Sequence, residues 1–202
     1  MTELLQGHVL QVRPISIAEG KEFVCRYHYA PVQPPITRAA LGLFEGESLV
    51  GAITLGYGVR PLHTIKGLFP SLGIEDYLEI NRLCILDELP RNTETWFISR
   101  AVKWLKATYP KVKLLFSWAD GLRGKPGYVY QAANFLYGGS IWSEYYITAD
   151  GEVVHPRHQA PILVQMGAGT EVQQAVTGQR FGVGCILVTL AGELGLDDGI
   201  ER

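Results

Sequence analysis

The chain has 202 residues, 47% of them hydrophobic, and a formal net charge of −2. That length supports one core burying roughly 70% of the unfolded chain's surface. A pI near 6.2 excludes general electrostatic attraction to nucleic acid or anionic membrane, so any such partner must be held by a local patch.

Three widely spaced cysteines, Cys25, Cys84 and Cys185, lack CxxC spacing and argue for a reducing cytoplasm rather than a disulfide framework or zinc knuckle. The N-terminus has no basic-then-apolar leader, and the longest apolar run, Val183 to Ala191, is too short to span a bilayer. A soluble cytoplasmic protein without a membrane partner is expected.

His8 to Ile15 reads as a first strand. Ser16-Ile17-Ala18-Glu19 matches a capping box and predicts a helix from Ile17 to about Tyr27, ended by Ala30-Pro31 and Pro34-Pro35. Arg38 to Phe44 and Ser48 to Tyr57 form β-like runs around Glu45-Gly46-Glu47, a hairpin signal. Gly58 to Gly73 reads as a loop and Tyr77 to Leu86 as a strand.

Asn92 is an N-cap candidate for a helix over Thr93 to Ala107, with Trp96/Phe97, Ala101 and Trp104/Leu105 on one face. Val112 to Ala119 reads as a buried strand, and Pro126 suits the first position of a helix to Phe135. Tyr137 to Thr148 and Glu152 to His155 suggest a hairpin across Asp150-Gly151. Beyond Gln165, Gly167 to Gln179 is polar, Phe181 to Leu190 resembles a strand, and Leu194 to Arg202 is an acidic tail.

The order β-α-β-β-β-α-β-α-β-β predicts an α/β architecture: a mixed, mostly antiparallel central sheet with helices on both faces. It matches the GNAT N-acetyltransferase fold. Residues 1–165 are expected to form the catalytic domain, and 166–202 a C-terminal extension packed on it.

The Gly-rich stretch after the predicted strand places a carboxylate, Asp120, and a phenol, Tyr130, around one loop-to-helix junction. Asp120 could orient or ionise a histidine, or act as a base. Tyr130 could donate to a developing oxyanion. Taken alone, Asp120 is equally an ordinary turn residue before Gly121. His28 and Tyr29, within Arg26-Tyr27-His28-Tyr29 at the first helix exit, add a group that accepts protons near neutral pH and rings that stack on a planar ligand. The expectation is one cleft joining this loop to the Asp120 turn.

Leu89 to Thr95 forms a strand-to-helix junction where N–H groups and the helix dipole suit an anion, with Arg91 adding charge. An acetyltransferase would hold the pyrophosphate of acetyl-CoA there, which makes Arg91, Asn92, Thr93 and Thr95 the cofactor-binding candidates. The glycines usual in such a loop are missing, and, from these residues alone, an ordinary helix cap with a surface arginine is the favoured reading. Arg38, Arg123 and Lys125, near aromatics, are candidates for contacting nucleic acid. His155 and His158 flank a proline without Cys or carboxylate neighbours and make a weak metal signal.

Four segments, Glu79 to Leu83, Leu89 to Thr95, Ser117 to Asp120 and Gly127 to Gly139, resemble the phage Mu Mom family of adenine-modifying proteins. The resemblance spans roughly Tyr27 to Gly139. It implies an acetyltransferase-like fold and conversion of adenine in duplex DNA to N6-carbamoylmethyladenine, which shields phage DNA from restriction. The family's His-Tyr pair falls on His28-Tyr29, and its Asp and Tyr, ten positions apart, on Asp120 and Tyr130. Acetyl-CoA and iron are both associated with the family. Gly124-Lys125 departs from the Gly-His often found there. An N-acetyltransferase acting on a small amine or protein, and a non-catalytic binding module on the same scaffold, are the alternatives.

Overall fold

In this computed structural model, residues 2–5, 7–30, 32–57, 61–119, 125–142, 146–147, 153–154 and 182–189 are described. Strands β1 (Thr2–Leu5) and β2 (His8–Ile15) form a hairpin turned by Gly7, whose φ of 92° lies in the left-handed region. The β1 strand is absent from the sequence expectation. Helix α1 (Ile17–Tyr27) begins where Ser16 Oγ accepts the Glu19 N–H at 3.1 Å, the first half of the expected capping box. Strands β3 (Thr37–Glu45) and β4 (Ser48–Gly56) then pair across the Gly46 turn.

The segment expected as a loop after β4 contains helix α2 (Pro61–Leu68). Its Gly and Pro content suggested punctuation, yet Pro61 is tolerated in the first turn. Ile65, Leu68 and Phe69 pack with Tyr77, Leu114 and Phe116 into a separate apolar cluster. Tertiary burial wins over local composition there.

Next come β5 (Tyr77–Ile85), α3 (Thr93–Thr108), β6 (Leu114–Ala119), α4 (Tyr128–Ala132) and β7 (Leu136–Trp142). Asn92 caps α3 in a left-handed conformation (φ 69°) without a side-chain capping bond. Helix α4 is shorter than expected. Gly127 takes φ 85° immediately before it and Asn134 takes φ 60° just after, which leaves Pro126 outside the helix.

The first strand expected for the hairpin across Asp150-Gly151 divides in two, and its second part makes the expected antiparallel pairing, Tyr146↔Val154 and Ile147↔Val153. Strand β7 enters the main sheet, while β8 (Tyr146–Ile147) and β9 (Val153–Val154) form a two-stranded ribbon. Strand β10 (Gly182–Thr189) lies between β6 and β7. The segments 167–179 and 194–202 lie outside the described residues.

Among the described residues the main sheet has eight strands in the order β1-β2-β3-β4-β5-β6-β10-β7. All neighbours are antiparallel except β5 and β6. That parallel pairing covers only Tyr77↔Leu114, Leu78↔Leu115 and Glu79↔Phe116, and beyond it the two strands part. Helix α3 buries Phe97, Ile98, Ala101 and Leu105 in the core containing Leu78, Ile80 and Leu115. Helix α1 places Phe23 and Val24 against Ala52 and Cys84 in another cluster. Helices thus cover both faces of a mixed, mostly antiparallel sheet, as the element order predicted.

Gly56 marks a point where backbone crosses backbone. A Cβ there would collide with the Ile36 carbonyl and the Asn81 amide. Asn81 Nδ2 donates to that same carbonyl at 3.3 Å, fastening the segment after α1 onto β5. Gly56→Ala is expected to cost about 1–3 kcal/mol of stability by overpacking, read as a lower urea midpoint.

Candidate active site

Where β5 and β6 diverge, unpaired strand edges open a cavity of about 780 Å³. Leu83 to Leu86 of β5 and its exit, with Trp118 and Ala119 of β6, form its walls. Tyr27, His28 and Tyr29 close it from the α1 exit, Arg91, Asn92 and Glu94 from the start of α3, and Lys125 to Tyr130 from the start of α4. It lies at the carboxyl ends of the two parallel strands, the place where open α/β sheets bind ligands.

The α1 exit is positioned by backbone geometry. His28 caps the helix in an extended conformation, its N–H donating to the Val24 carbonyl at 2.9 Å, and this turns Tyr29 towards the fork. The His28 and Tyr29 rings stack with centroids 4.4 Å apart, and Lys125 Nζ lies 4.6 Å from the Tyr29 ring centre. From β5, Arg82 Nε donates to the Ala30 carbonyl at 3.2 Å, and a second guanidinium N–H donates to the Val32 carbonyl.

Tyr130 enters from α4. Burial pushes its phenol up to about 12, against the pull of a hydrogen bond with Ser117; Tyr29 and Glu79 push the same way as burial and Arg82 pulls down. Ser117 Oγ in turn donates to the Ile80 carbonyl at 3.3 Å, bridging β6 to β5 just beyond their last backbone pair. Tyr130 therefore presents a neutral O–H across the working pH range. Cys84 on the cavity wall is pushed up to about 11 by burial and Asp87, with Lys125 opposing, so it is a thiol and not a thiolate nucleophile at neutral pH.

Of the expected site residues, His28, Tyr29, Tyr130, Arg91, Asn92 and Lys125 line this single cavity. Thr93 and Thr95 are not among its lining residues. Thr93 is fully buried with its hydroxyl on the Pro90 carbonyl at 2.6 Å, and the Thr95 hydroxyl donates to the Val129 carbonyl at 3.4 Å, tying α3 to α4. Arg38 also lies away from the lining, its guanidinium 5.6 Å from the Tyr57 ring centre. Asp120, Arg123, His155 and His158 lie outside the described residues. Ala119, the residue before Asp120, does reach the same cavity as His28.

Sequence reasoning assigned no role to Glu79 and Arg82. Glu79 is 5% exposed on β5, and both residues act electrostatically on Tyr130. The available signal was a carboxylate and a guanidinium within an otherwise alternating apolar strand, where an isolated charge is costly.

Among the described residues no three His, Cys, Asp or Glu side chains are grouped to hold a metal ion, so the iron implied by resemblance has no donor set there. An acyl-CoA fits better. The fork can receive an extended chain, and Arg91 with the α3 start can hold phosphate, although Glu94 adds an opposing charge and the Thr93 N–H is already bonded to the Pro90 carbonyl.

A model of the Mom protein family matches residues 9–181. The chain belongs to the Mom protein family. It is 35% identical over 146 residues to methylcarbamoylase mom of Escherichia phage Mu, covering 72% of this chain and 60% of the phage Mu protein, so it spans less than two thirds of that relative. Solved structures agree on the fold.

Arabidopsis thaliana NAA60 in complex with acetyl-CoA superposes with a TM-score of 0.53 at 12% identity, covering 89% of this chain and 98% of that one. Vibrio cholerae spermidine N-acetyltransferase in complex with CoA and spermine gives 0.51 at 10%, covering 90% and 95%. This Mom family member thus has an acetyltransferase-like fold.

The raised Tyr130 value has a measurable consequence. Between pH 10 and about 12 the unfolded chain releases this proton while the folded chain keeps it. The folded state then binds more protons, so stability falls as pH rises through that window. The contribution is fully present below pH 10. A phenolate difference spectrum between wild type and Tyr130→Phe should show no Tyr130 ionisation at pH 10.5 and its onset near 12.

Proposed function

We propose that this chain converts adenine in duplex DNA to N6-carbamoylmethyladenine, using an acyl-CoA-type cofactor such as acetyl-CoA, and so protects phage DNA from restriction in the host cytoplasm. The similarity to the phage Mu methylcarbamoylase supports the reaction. The observation that carries the assignment is the β5–β6 fork, where His28, Tyr29, Tyr130, Arg91 and Lys125 meet at one cavity.

The chemistry sets three demands. First, the exocyclic amine of adenine is a poor nucleophile because its lone pair is shared with the ring, so its proton needs an acceptor or its electrophile needs polarising. His28 or Asp120 is assigned to the N6 proton. Tyr29 and Tyr130 orient the base or the acyl group, and a neutral Tyr130 O–H suits donation to developing negative charge.

Second, an adenine in a duplex must leave the stack at a cost of a few kcal/mol. The exposed rings of Tyr27, Tyr29 and Tyr128 at the cavity supply stacking surface to offset it.

Third, the cofactor must be held. Arg91 and the α3 start would hold its phosphates, and the cofactor would supply a thioester-activated two-carbon unit; bonding N6 to the methyl carbon of that unit needs a two-electron oxidant, and its carboxamide needs an amine donor, both as separate co-reactants. Lys125, exposed beside the cavity, and Arg123 and Arg38 contact DNA phosphates.

Mass spectrometry of nucleosides from cells expressing the chain tests the reading, and unmodified adenine throughout would sink it. Tyr130→Phe is expected to lower modification by about 10²–10³-fold, the range for losing one oxyanion donor. Intact modification by Asp120→Ala would refute the role given to that carboxylate. Arg91→Ala should weaken acetyl-CoA binding by about tenfold or more, as expected for a lost charge-assisted contact, measured by calorimetry.

A further inference from the structure

Helix α4 carries two tyrosines that face opposite ways. Tyr128 and Tyr130 are two positions apart, about 200° around a helix of 3.6 residues per turn. Tyr130 packs inward, its ring centre 5.4 Å from that of Phe135 at the edge of the main core. Tyr128 projects outward at 73% exposure, the most exposed large hydrophobic side chain among the described residues, and yet it belongs to the cavity lining.

The backbone beneath Tyr128 is fixed. Gly127, itself buried, starts the helix at φ 85°, and its carbonyl accepts the N–H groups of Tyr130 and Gln131 at 3.0 and 3.1 Å. The Gln131 side chain donates to the Pro126 carbonyl at 3.4 Å, and the Thr95 hydroxyl holds the Val129 carbonyl from α3. A tyrosine ring on such a base is a rigid contact surface that costs little entropy to order.

The three exposed rings on the lining are not equivalent. Tyr27 has the Phe23 ring at 4.7 Å and the Arg26 guanidinium at 5.3 Å. Tyr29 has the His28 ring at 4.4 Å and Lys125 Nζ at 4.6 Å. Tyr128 makes no ring or cation contact among the described residues and joins none of their apolar clusters, so both faces of its ring are open.

We infer that Tyr128 is a wedge: as the target adenine swings into the fork, its ring enters the gap left in the duplex and stacks between the flanking bases. This rests on the DNA-modifying reading above and adds the residue that holds the duplex open. One missing base leaves a gap of about 3.4 Å, which a flat ring fills, and inserted apolar side chains fill such steps in other DNA-bending proteins. A ring that gripped the adenine itself would sit inside the cavity and be less exposed. Lys125, three residues earlier and also exposed, supplies charge to the adjoining phosphates. Tyr128 is a positioning residue, touching neither the cofactor nor the reacting atoms.

The test uses the full chain and a duplex carrying 2-aminopurine, which brightens on leaving the stack, at an adenine that the wild type modifies in cells. Wild-type binding should raise the fluorescence. Tyr128→Ala should lose most of that rise and bind this duplex about 10- to 100-fold more weakly, while Tyr128→Phe, which keeps the ring, should stay within about threefold of wild type on both readouts. The dependence of log K on log salt should keep its slope in Tyr128→Ala and flatten by about one in Lys125→Ala, because only the lysine releases counterions.

A wild-type rise that Tyr128→Ala leaves intact overturns the inference. So does a Tyr128→Phe protein as weak as the alanine variant, or a salt slope that Tyr128→Ala flattens as Lys125→Ala does. Modified adenine in cells without any wild-type rise sinks the wedge alone. If no adenine is modified in cells, the DNA reading falls and takes the wedge with it.

Discussion

Three residue pairs of parallel backbone pairing between β5 and β6, and their abrupt end, determine what the rest of the molecule can do. The pairing from Tyr77 to Glu79 holds the two strands at one end. Past it, Ser117 Oγ reaches the Ile80 carbonyl as a last bridge, and the strands then diverge. Divergence would normally leave strand edges with unmet hydrogen-bonding groups. Here that opening is lined by the exits of α1 and β5 and the starts of α3 and α4, so a gap in the sheet becomes a ligand cavity.

The walls of the fork are fastened from behind. Asn81 and Arg82, adjacent on β5, hold the carbonyls of Ile36, Ala30 and Val32, so the strand that forms the fork also fixes the loop carrying His28 and Tyr29. Thr95 ties α3 to α4 through the Val129 carbonyl, which couples the Arg91 corner to the Tyr130 corner. A displacement of β5 would move the loop bearing the imidazole, and one of α3 would move the arginine and phenol corners together. Preorganisation of this kind is what makes a polar site effective in a partly dry cavity.

Electrostatics at the fork run against ionisation. Burial keeps Tyr130 neutral far above physiological pH, and Cys84 is kept as a thiol. The neutral groups there are suited to donating hydrogen bonds, while positive charge sits at the mouth on Lys125 and Arg91, both exposed. Asp87 and Glu94 lie on the same lining, so the cavity carries both signs of charge.

Periodicity and turn chemistry were enough to place β2, α1, the β3–β4 hairpin, β5 and α3, because each is decided by residues adjacent in sequence: the Ser16 cap, the Gly46 turn, the apolar face of α3. The resemblance in Glu79 to Leu83 and Gly127 to Gly139 pointed to the family. Sequence alone could not show α2, which exists because Ile65 and Leu68 meet Tyr77 and Phe116 from distant strands. Nor could it show that Thr93 is turned into the core while Arg91 faces the cavity, since one residue's rotation about a helix start depends on what packs behind it. The joining of His28 to Tyr130 across 102 positions belongs to the tertiary structure, because only the parting of β5 from β6 makes the space in which they meet.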